Sequence, residues 1–78
     1  MEKTLGEKRV RTDFNVAGYE VVDDLKMDAA RFINDIDQLE NKDIPPESIG
    51  EFVRLKSLAM TAIEEGAMWA VKAATMGK

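Results

Sequence analysis

The sequence contains no cysteine and no histidine, and these absences exclude much of the common chemistry of enzymes. Without cysteine there is neither a disulfide nor a thiolate metal ligand. Without histidine the chain lacks the usual metal ligand and the usual general base near neutral pH. A Ser-His-Asp or Cys-His constellation cannot be assembled either. We therefore expect a binding protein with no catalytic residue, no metal and no cofactor.

Long apolar runs are also missing, so no segment is expected to span a bilayer. The N-terminal residues show no apolar region typical of a signal peptide, which predicts that the protein stays in the cytoplasm. With 78 residues, 45% of them apolar, the chain is one small domain, residues 1–78. A domain this small buries only roughly 60% of its unfolded surface, so we expect self-association to supply the missing stability.

Charge is distributed unevenly along the chain. The formal net charge is −4, yet residues 1–11 hold four basic against two acidic side chains and the remainder is strongly acidic. An acidic body repels a long phosphate backbone, so we expect no DNA or RNA polymer as a partner. A small anion held where a few basic side chains converge remains compatible with this pattern.

The chain reads as an N-terminal arm followed by two helices. Residues 1–15 show no helical period, which predicts an arm or at most a short helix; a solvated terminus is the alternative. Residues 17–40 predict a first helix, and Pro45-Pro46 ends any continuation. The apolar side chains of that helix repeat at heptad spacing and predict its buried stripe, which Val21 and Ile33 widen on one side: Val22, Leu25, Ala29, Phe32, Ile36 and Leu39. The fold class is therefore an all-α antiparallel hairpin.

The second predicted helix, residues 46–76, is apolar on two sides, and one partner helix covers only one of them. Small residues between the larger ones indicate closely approaching backbones. We therefore expect a symmetric oligomer, since a monomeric hairpin would leave large apolar side chains exposed. The expected interface residues are Ala59, Ala62, Gly66, Met68, Trp69 and Ala73. Adjacent Glu64 and Glu65 point about 100° apart on a helix, which predicts a structural role rather than a metal site.

Arg9, Arg11 and Lys26 are the strongest candidates for ligand recognition. Guanidinium groups bind phosphate through a planar fork and ammonium groups act as point charges. If the arm folds back on the first helix, these groups converge, and Phe14 or Tyr19 can stack on a base. Such a site suits a small ligand with phosphates and bases better than a polymer. A solvated basic arm and a solvated Lys26 at the edge of the apolar stripe are the alternatives.

Two segments carry a family resemblance. Residues 54–75 resemble the last helix of phage anti-CBASS proteins of the Acb2 type. The segment from Arg9 to Leu39 is similar too, with a basic or aromatic arm and then a helix with the Leu25-Lys26 step. The features shared in the last helix are Arg54, Thr61, the Glu64-Glu65 pair, Gly66, Met68, Lys72 and Ala73.

The resemblance implies a compact, all-helical, hexameric sponge in the cytoplasm of an infected bacterium. Such proteins sequester cyclic di- or trinucleotide messengers, cGAMP among them, without cleaving them, so that CBASS effectors are not activated. Lys26 matches a phosphate-binding lysine between two protomers. The stacking aromatic of relatives aligns near Arg11, whose guanidinium, or the ring of Phe14 or Tyr19, would replace it. Asp28 stands where a hydroxyl residue is expected and would repel phosphate.

A second site binds cyclic trinucleotides in some relatives. The corresponding region here contains Arg54, Met60 and Thr61, with Met60 in place of an arginine. That replacement indicates a site that is lost or rebuilt.

Two other functions remain open at this stage. The chain could be a small acidic oligomeric phage protein that inhibits a host protein or takes a structural part. It could also bind nucleic acid through residues 1–11, in which case binding would depend on salt.

Overall fold

The computed structural model describes residues 2–12 and 19–77. Three α-helices follow in chain order: α1 (Leu5–Val10), α2 (Glu20–Asp37) and α3 (Ile49–Ala74), with a 3₁₀ turn at Pro46–Ser48 before α3. The described residues contain no strand, which confirms the all-helical class. α2 and α3 form a hairpin whose turn ends at Pro45, and Pro46 suits the first turn of a helix because its missing N–H would be unpaired there.

The N-terminal segment contains a helix where the sequence interpretation saw no helical period. Thr4 begins α1 with a capping box: the Glu7 N–H donates to Thr4 Oγ1 at 3.2 Å and the Thr4 N–H donates to Glu7 Oε1 at 2.9 Å. Gly6 lies against Ala30 of α2 so closely that a Cβ on residue 6 would overlap the Ala30 carbonyl. The Gly6 N–H also donates to Asn34 Oδ1 at 2.7 Å. The N-terminal segment is therefore docked on α2.

The buried face of α2 is rotated from the predicted stripe. Phe32 is 52% exposed and Leu39 is 53% exposed, so neither belongs to the core of the protomer. The buried positions of α2 include Ala30 and Ile33, each one residue after a predicted stripe position. This rotation arises because α1 docks on that side and covers Ala30. The residues that form the core cluster are Val10, Ala30, Ile33 and Met60, with Ala29, Ile36, Ile63 and Ala67 packed against it.

The last turn of α2 is capped from α3. The Lys56 ammonium donates to the carbonyl oxygens of Asp37 at 2.8 Å and Leu39 at 3.1 Å. These carbonyls belong to the last residue of α2 and to the second residue beyond it, where backbone acceptors lack helical partners. Lys56 therefore fixes the geometry of the hairpin near the turn that joins α2 to α3.

The protomer is a single layer of helices measuring 50 × 28 × 13 Å. A thickness of 13 Å is close to the diameter of one helix with its side chains. A single layer covers only one side of α3, where Met60, Ile63 and Ala67 face α1 and α2. None of the helices in the described part of the chain is long and apolar enough to cross a membrane.

Candidate functional site

The site is built around the turn that ends α1. Arg11 closes this helix in the left-handed region, with φ 56° and ψ 59°, a conformation that costs a non-glycine residue roughly 1 kcal/mol. The Lys26 ammonium donates to the Arg11 carbonyl oxygen at 3.1 Å. Lys26 is only 7% exposed. It therefore lies on the buried face of α2, which corrects the interpretation of a solvated lysine at the edge of the stripe.

Arg9 joins the end of α1 to α3. Its guanidinium lies 3.1 Å from Glu64 Oε2 and donates to Thr61 Oγ1 at 3.1 Å. The Arg9 Nε atom is buried and has no hydrogen-bond partner in the described part of the chain. The basic side chain of Arg9 is therefore engaged within the protomer rather than solvated.

These contacts surround a partly open cavity of about 500 Å³. Its basic lining comes from all three helical regions: Arg9 from α1, Arg11 from the turn, Lys26 from α2 and Lys72 from α3. Cavities of roughly 300–1,000 Å³ are typical of small-molecule sites. Four basic groups against the two acidic side chains of the lining make this region locally cationic in a chain of net charge −4.

The α3 wall of the cavity changes character along the helix. Thr61, Glu64 and Glu65 line its N-terminal end, and Lys72 lines its C-terminal end. Apolar side chains, Ala67, Met68 and Val71, lie between them. The Lys72 ammonium lies 5.7 Å from the centre of the Trp69 ring, within the range of a cation–π contact. Along α3, the wall therefore presents first two carboxylates, then an apolar surface, and finally an ammonium group.

The structure brings together three of the predicted ligand-binding residues, Arg9, Arg11 and Lys26, at this cavity. Among the described residues, Tyr19 and Asp28 do not line it. Tyr19 is half-buried at the start of α2. Asp28 is exposed and pairs with Arg31 at 3.4 Å. Phe14 lies outside the described residues.

The residues predicted for a second site have other partners. Arg54 forms a two-pronged contact with Glu51, at 2.7 Å and 3.0 Å, and this hydrogen bond holds the pKa of the Glu51 carboxyl below its usual range. Met60 is buried in the core. Thr61 accepts the hydrogen bond from Arg9.

Five of the predicted interface residues, Ala59, Ala62, Gly66, Trp69 and Ala73, share one side of α3, and Met68 lies on the side that lines the cavity. Trp69 is 56% exposed, Met68 is half-exposed, and Ala62, Gly66 and Ala73 are exposed, while Ala59 is half-buried. This is the side of α3 that the protomer leaves uncovered. Met68 lines the cavity, whereas the other five predicted interface residues do not.

Sequence reasoning missed Lys72, Glu64 and Glu65 as lining residues of the cavity. Glu64 lies three residues after Thr61, and Lys72 lies eight residues after Glu64. These helical spacings place the three side chains along one side of α3. The spacing is visible in the sequence, but it does not indicate a cavity, because the sequence does not reveal which side of α3 faces α1. The described residues contain no group of His, Cys, Asp and Glu able to hold a metal ion.

Comparison with known protein families matches the chain to a family model. A sequence model of the Acb2/Tad1 hairpin domain covers residues 6–75, nearly the whole chain. The match includes α1, the turn at Arg11, α2 and α3, and therefore every described residue that lines the cavity. No curated protein and no solved structure matches the chain.

Proposed function

Because the chain belongs to the Acb2/Tad1 hairpin family, we propose that it is a phage anti-defence sponge for a cyclic oligonucleotide messenger. The protein binds a cyclic dinucleotide such as cGAMP in the cavity between α1, α2 and α3. It acts without catalysis in the cytoplasm of the infected bacterium, and the bound messenger is withheld from CBASS effectors. The mechanism is stoichiometric, and the messenger is released intact when the protein unfolds.

One observation carries this proposal: four basic side chains from distant parts of the sequence line one cavity in an acidic protein. A solvated basic arm would not require this convergence. The apolar surface of Ala67, Met68 and Val71 beside these groups suits the face of a base. A ligand carrying both phosphates and bases fits this combination of charge and apolar surface.

The basic residues divide the task of holding phosphate. Arg11 is exposed at the cavity and offers a planar fork that binds two phosphate oxygens at once. Lys26 supplies a buried ammonium whose attraction to an anion is screened little by water. Lys72 adds a positive charge from the opposite wall. Stacking on the bases falls to the Arg11 guanidinium, to Phe14 of the arm or to Tyr19 at the start of α2.

The assembly we propose is a homo-oligomer, a hexamer as in the family. The protomer exposes 5884 Å², whereas a compact protein of 8.7 kDa exposes roughly 4,700 Å². The difference exceeds the roughly 800 Å² that one partner contributes to a standard interface. A second protomer packed against Met68 at the cavity would also close the open side of the cavity.

Isothermal titration calorimetry with a panel of cyclic di- and trinucleotides tests the sponge. We expect tight binding of at least one cyclic dinucleotide, with chromatography showing an unchanged ligand after heat release. Linear dinucleotides of the same bases serve as the matched ligands and should bind more weakly, because their ends are free. Failure of every cyclic oligonucleotide to bind overturns the proposal, and recovery of a cleaved product makes the protein an enzyme.

The uncovered apolar side of α3 also suits a host protein, and this is the second candidate function. It predicts a stable complex with a partner protein and no retention of nucleotide. The sponge is favoured because the alternative gives no role to the convergence of Arg11, Lys26 and Lys72.

A further inference from the structure

The two carboxylates of the cavity have no role in holding phosphate. Glu64 and Glu65 line the same cavity as the four basic groups, and each would repel a nearby phosphate. Their place is the N-terminal end of the α3 wall, separated from Lys72 by the apolar side chains. A ligand that fits must therefore place something other than an anion at this end.

Glu64 is held in position by the protein. Arg9 binds one of its oxygens, Oε2, at 3.1 Å, and Arg9 is itself fixed by Thr61. The second oxygen, Oε1, has no partner among the described residues, and the side chain is 43% exposed. An ionised carboxylate accepts about four hydrogen bonds in all, so both oxygens retain capacity for a ligand. The ion pair with Arg9 orients the carboxylate before a ligand arrives.

A carboxylate with two accepting oxygens distinguishes the bases by their Watson–Crick edges. Guanine presents two adjacent donors, N1–H and the N2 amino group, which match the two oxygens. Adenine presents one donor, the N6 amino group, next to the N1 lone pair, which the carboxylate repels. Cytosine has the same arrangement of one donor beside a lone pair. Unstacked bases are commonly read on this edge.

We propose that Glu64 is a specificity-determining residue that selects guanine in the bound cyclic dinucleotide. This inference rests on the proposed function and names the base that the same cavity prefers. The guanine face lies on the apolar surface of Ala67 and Met68, its Watson–Crick edge meets Glu64, and the phosphates meet Arg11 and Lys26. Two hydrogen bonds to a base typically discriminate by about tenfold or more, and the partial exposure of Glu64 places the effect at the lower end.

Glu65 provides the matched control. It is the neighbouring residue, lines the same cavity and carries the same charge, but it is exposed and its Oε1 accepts from Trp69 Nε1 at 3.5 Å. It forms no ion pair or hydrogen bond with Arg9 in the described part of the chain. Replacing either carboxylate by an amide makes the cavity more positive by one charge, which strengthens all anionic ligands alike. The ratio of two affinities cancels that common effect.

Calorimetry with cyclic di-GMP and cyclic di-AMP of the same linkage tests the assignment. We expect the natural protein to bind cyclic di-GMP about tenfold more tightly. Glu64→Gln should reduce this preference to about twofold or less, because an amide pairs with either edge. Glu65→Gln should keep the preference of the natural protein. Circular dichroism of each variant verifies that its helices and melting transition are retained.

The possible results separate this inference from the proposed function. Equal affinities in the natural protein, a preference that survives Glu64→Gln, or a preference lost equally in Glu65→Gln overturns the role of Glu64 and leaves the sponge standing. Absence of binding by both cyclic dinucleotides and by the wider panel overturns the sponge itself.

Discussion

The buried ammonium of Lys26 donates to the carbonyl oxygen of Arg11 across 3.1 Å, joining α2 to the left-handed turn that ends α1. This contact holds Arg11 at the mouth of the cavity in a conformation that non-glycine residues adopt infrequently. Lys26 therefore has two tasks in the proposed sponge: it supports the turn and it presents a positive charge to the ligand.

Lys26→Met should weaken the binding of a cyclic dinucleotide by about 10- to 100-fold, since a hydrogen bond to a charged group contributes roughly 1.5–3 kcal/mol. The change also removes the support of the Arg11 turn, so the melting temperature should fall slightly. Calorimetry and thermal unfolding measure the two effects. Lys42→Met, at an exposed position in the hairpin turn, is the control and should change neither. Unaltered affinity in Lys26→Met would remove Lys26 from the site.

Gly6→Ala should destabilise the protomer by about 1–3 kcal/mol, the usual cost of overpacking. An added Cβ would overlap the Ala30 carbonyl and lie 2.8 Å from the Ala30 Cα, and both are backbone atoms that cannot turn away. Denaturant unfolding measures the loss. Gly50→Ala is the control, because nothing lies within 4 Å of a Cβ at that position. A Gly6→Ala protein as stable as the natural one would show that α1 does not dock as closely as described.

Trp69→Ala should dissociate the proposed oligomer while preserving the helices of the protomer. The ring is 56% exposed, so its removal leaves little cavity within one chain but deletes a large apolar surface from the uncovered side of α3. Sedimentation equilibrium at micromolar concentration measures the mass. Phe32→Ala is the control, with a ring 52% exposed on α2, outside the expected interface. If the natural protein sediments as a folded single chain, the assembly is wrong.

Arg54→Met should raise the pKa of Glu51 toward the ordinary value of a glutamate. The hydrogen bond from the Arg54 guanidinium lowers this pKa in the folded protein. A folded pKa below the unfolded one adds stability above the unfolded pKa, and that contribution disappears as the pH falls through the folded value. This contribution to stability is small, because the Glu51 and Arg54 side chains are both exposed. Carboxyl NMR titration measures the shift.

Arg31→Met is the control for this titration, since Arg31 pairs with Asp28 and has no contact with Glu51. The Glu51 pKa should not change in that variant. An unchanged Glu51 pKa in Arg54→Met would mean that the Arg54–Glu51 pair does not persist in solution. Arg54 would then be available for another partner, as the interpretation of a second site had supposed.

The α1 region shows which local signals in the sequence could have predicted a helix there. Thr4 and Glu7 have the spacing of a capping box, a signal visible in the sequence that the arm interpretation did not use. α1 has only six residues, and a helix that short is unstable in isolation. Its existence depends on docking against α2 through Gly6 and Asn34. Local periodicity could not reveal a helix that tertiary contacts stabilise.

The sequence by itself determined the helical class, the break at Pro45-Pro46 and an α3 that is apolar on more sides than one protomer covers. These properties follow from residue spacing and from proline chemistry, which act over a few neighbouring residues. Only the tertiary structure decided that Ala30 is buried while Phe32 and Leu39 are exposed, that Lys26 lies inside, and that Lys72 lines the same cavity as Arg11. Helical spacing leaves the rotation of each helix undetermined within about one residue, and only contact between helices fixes it.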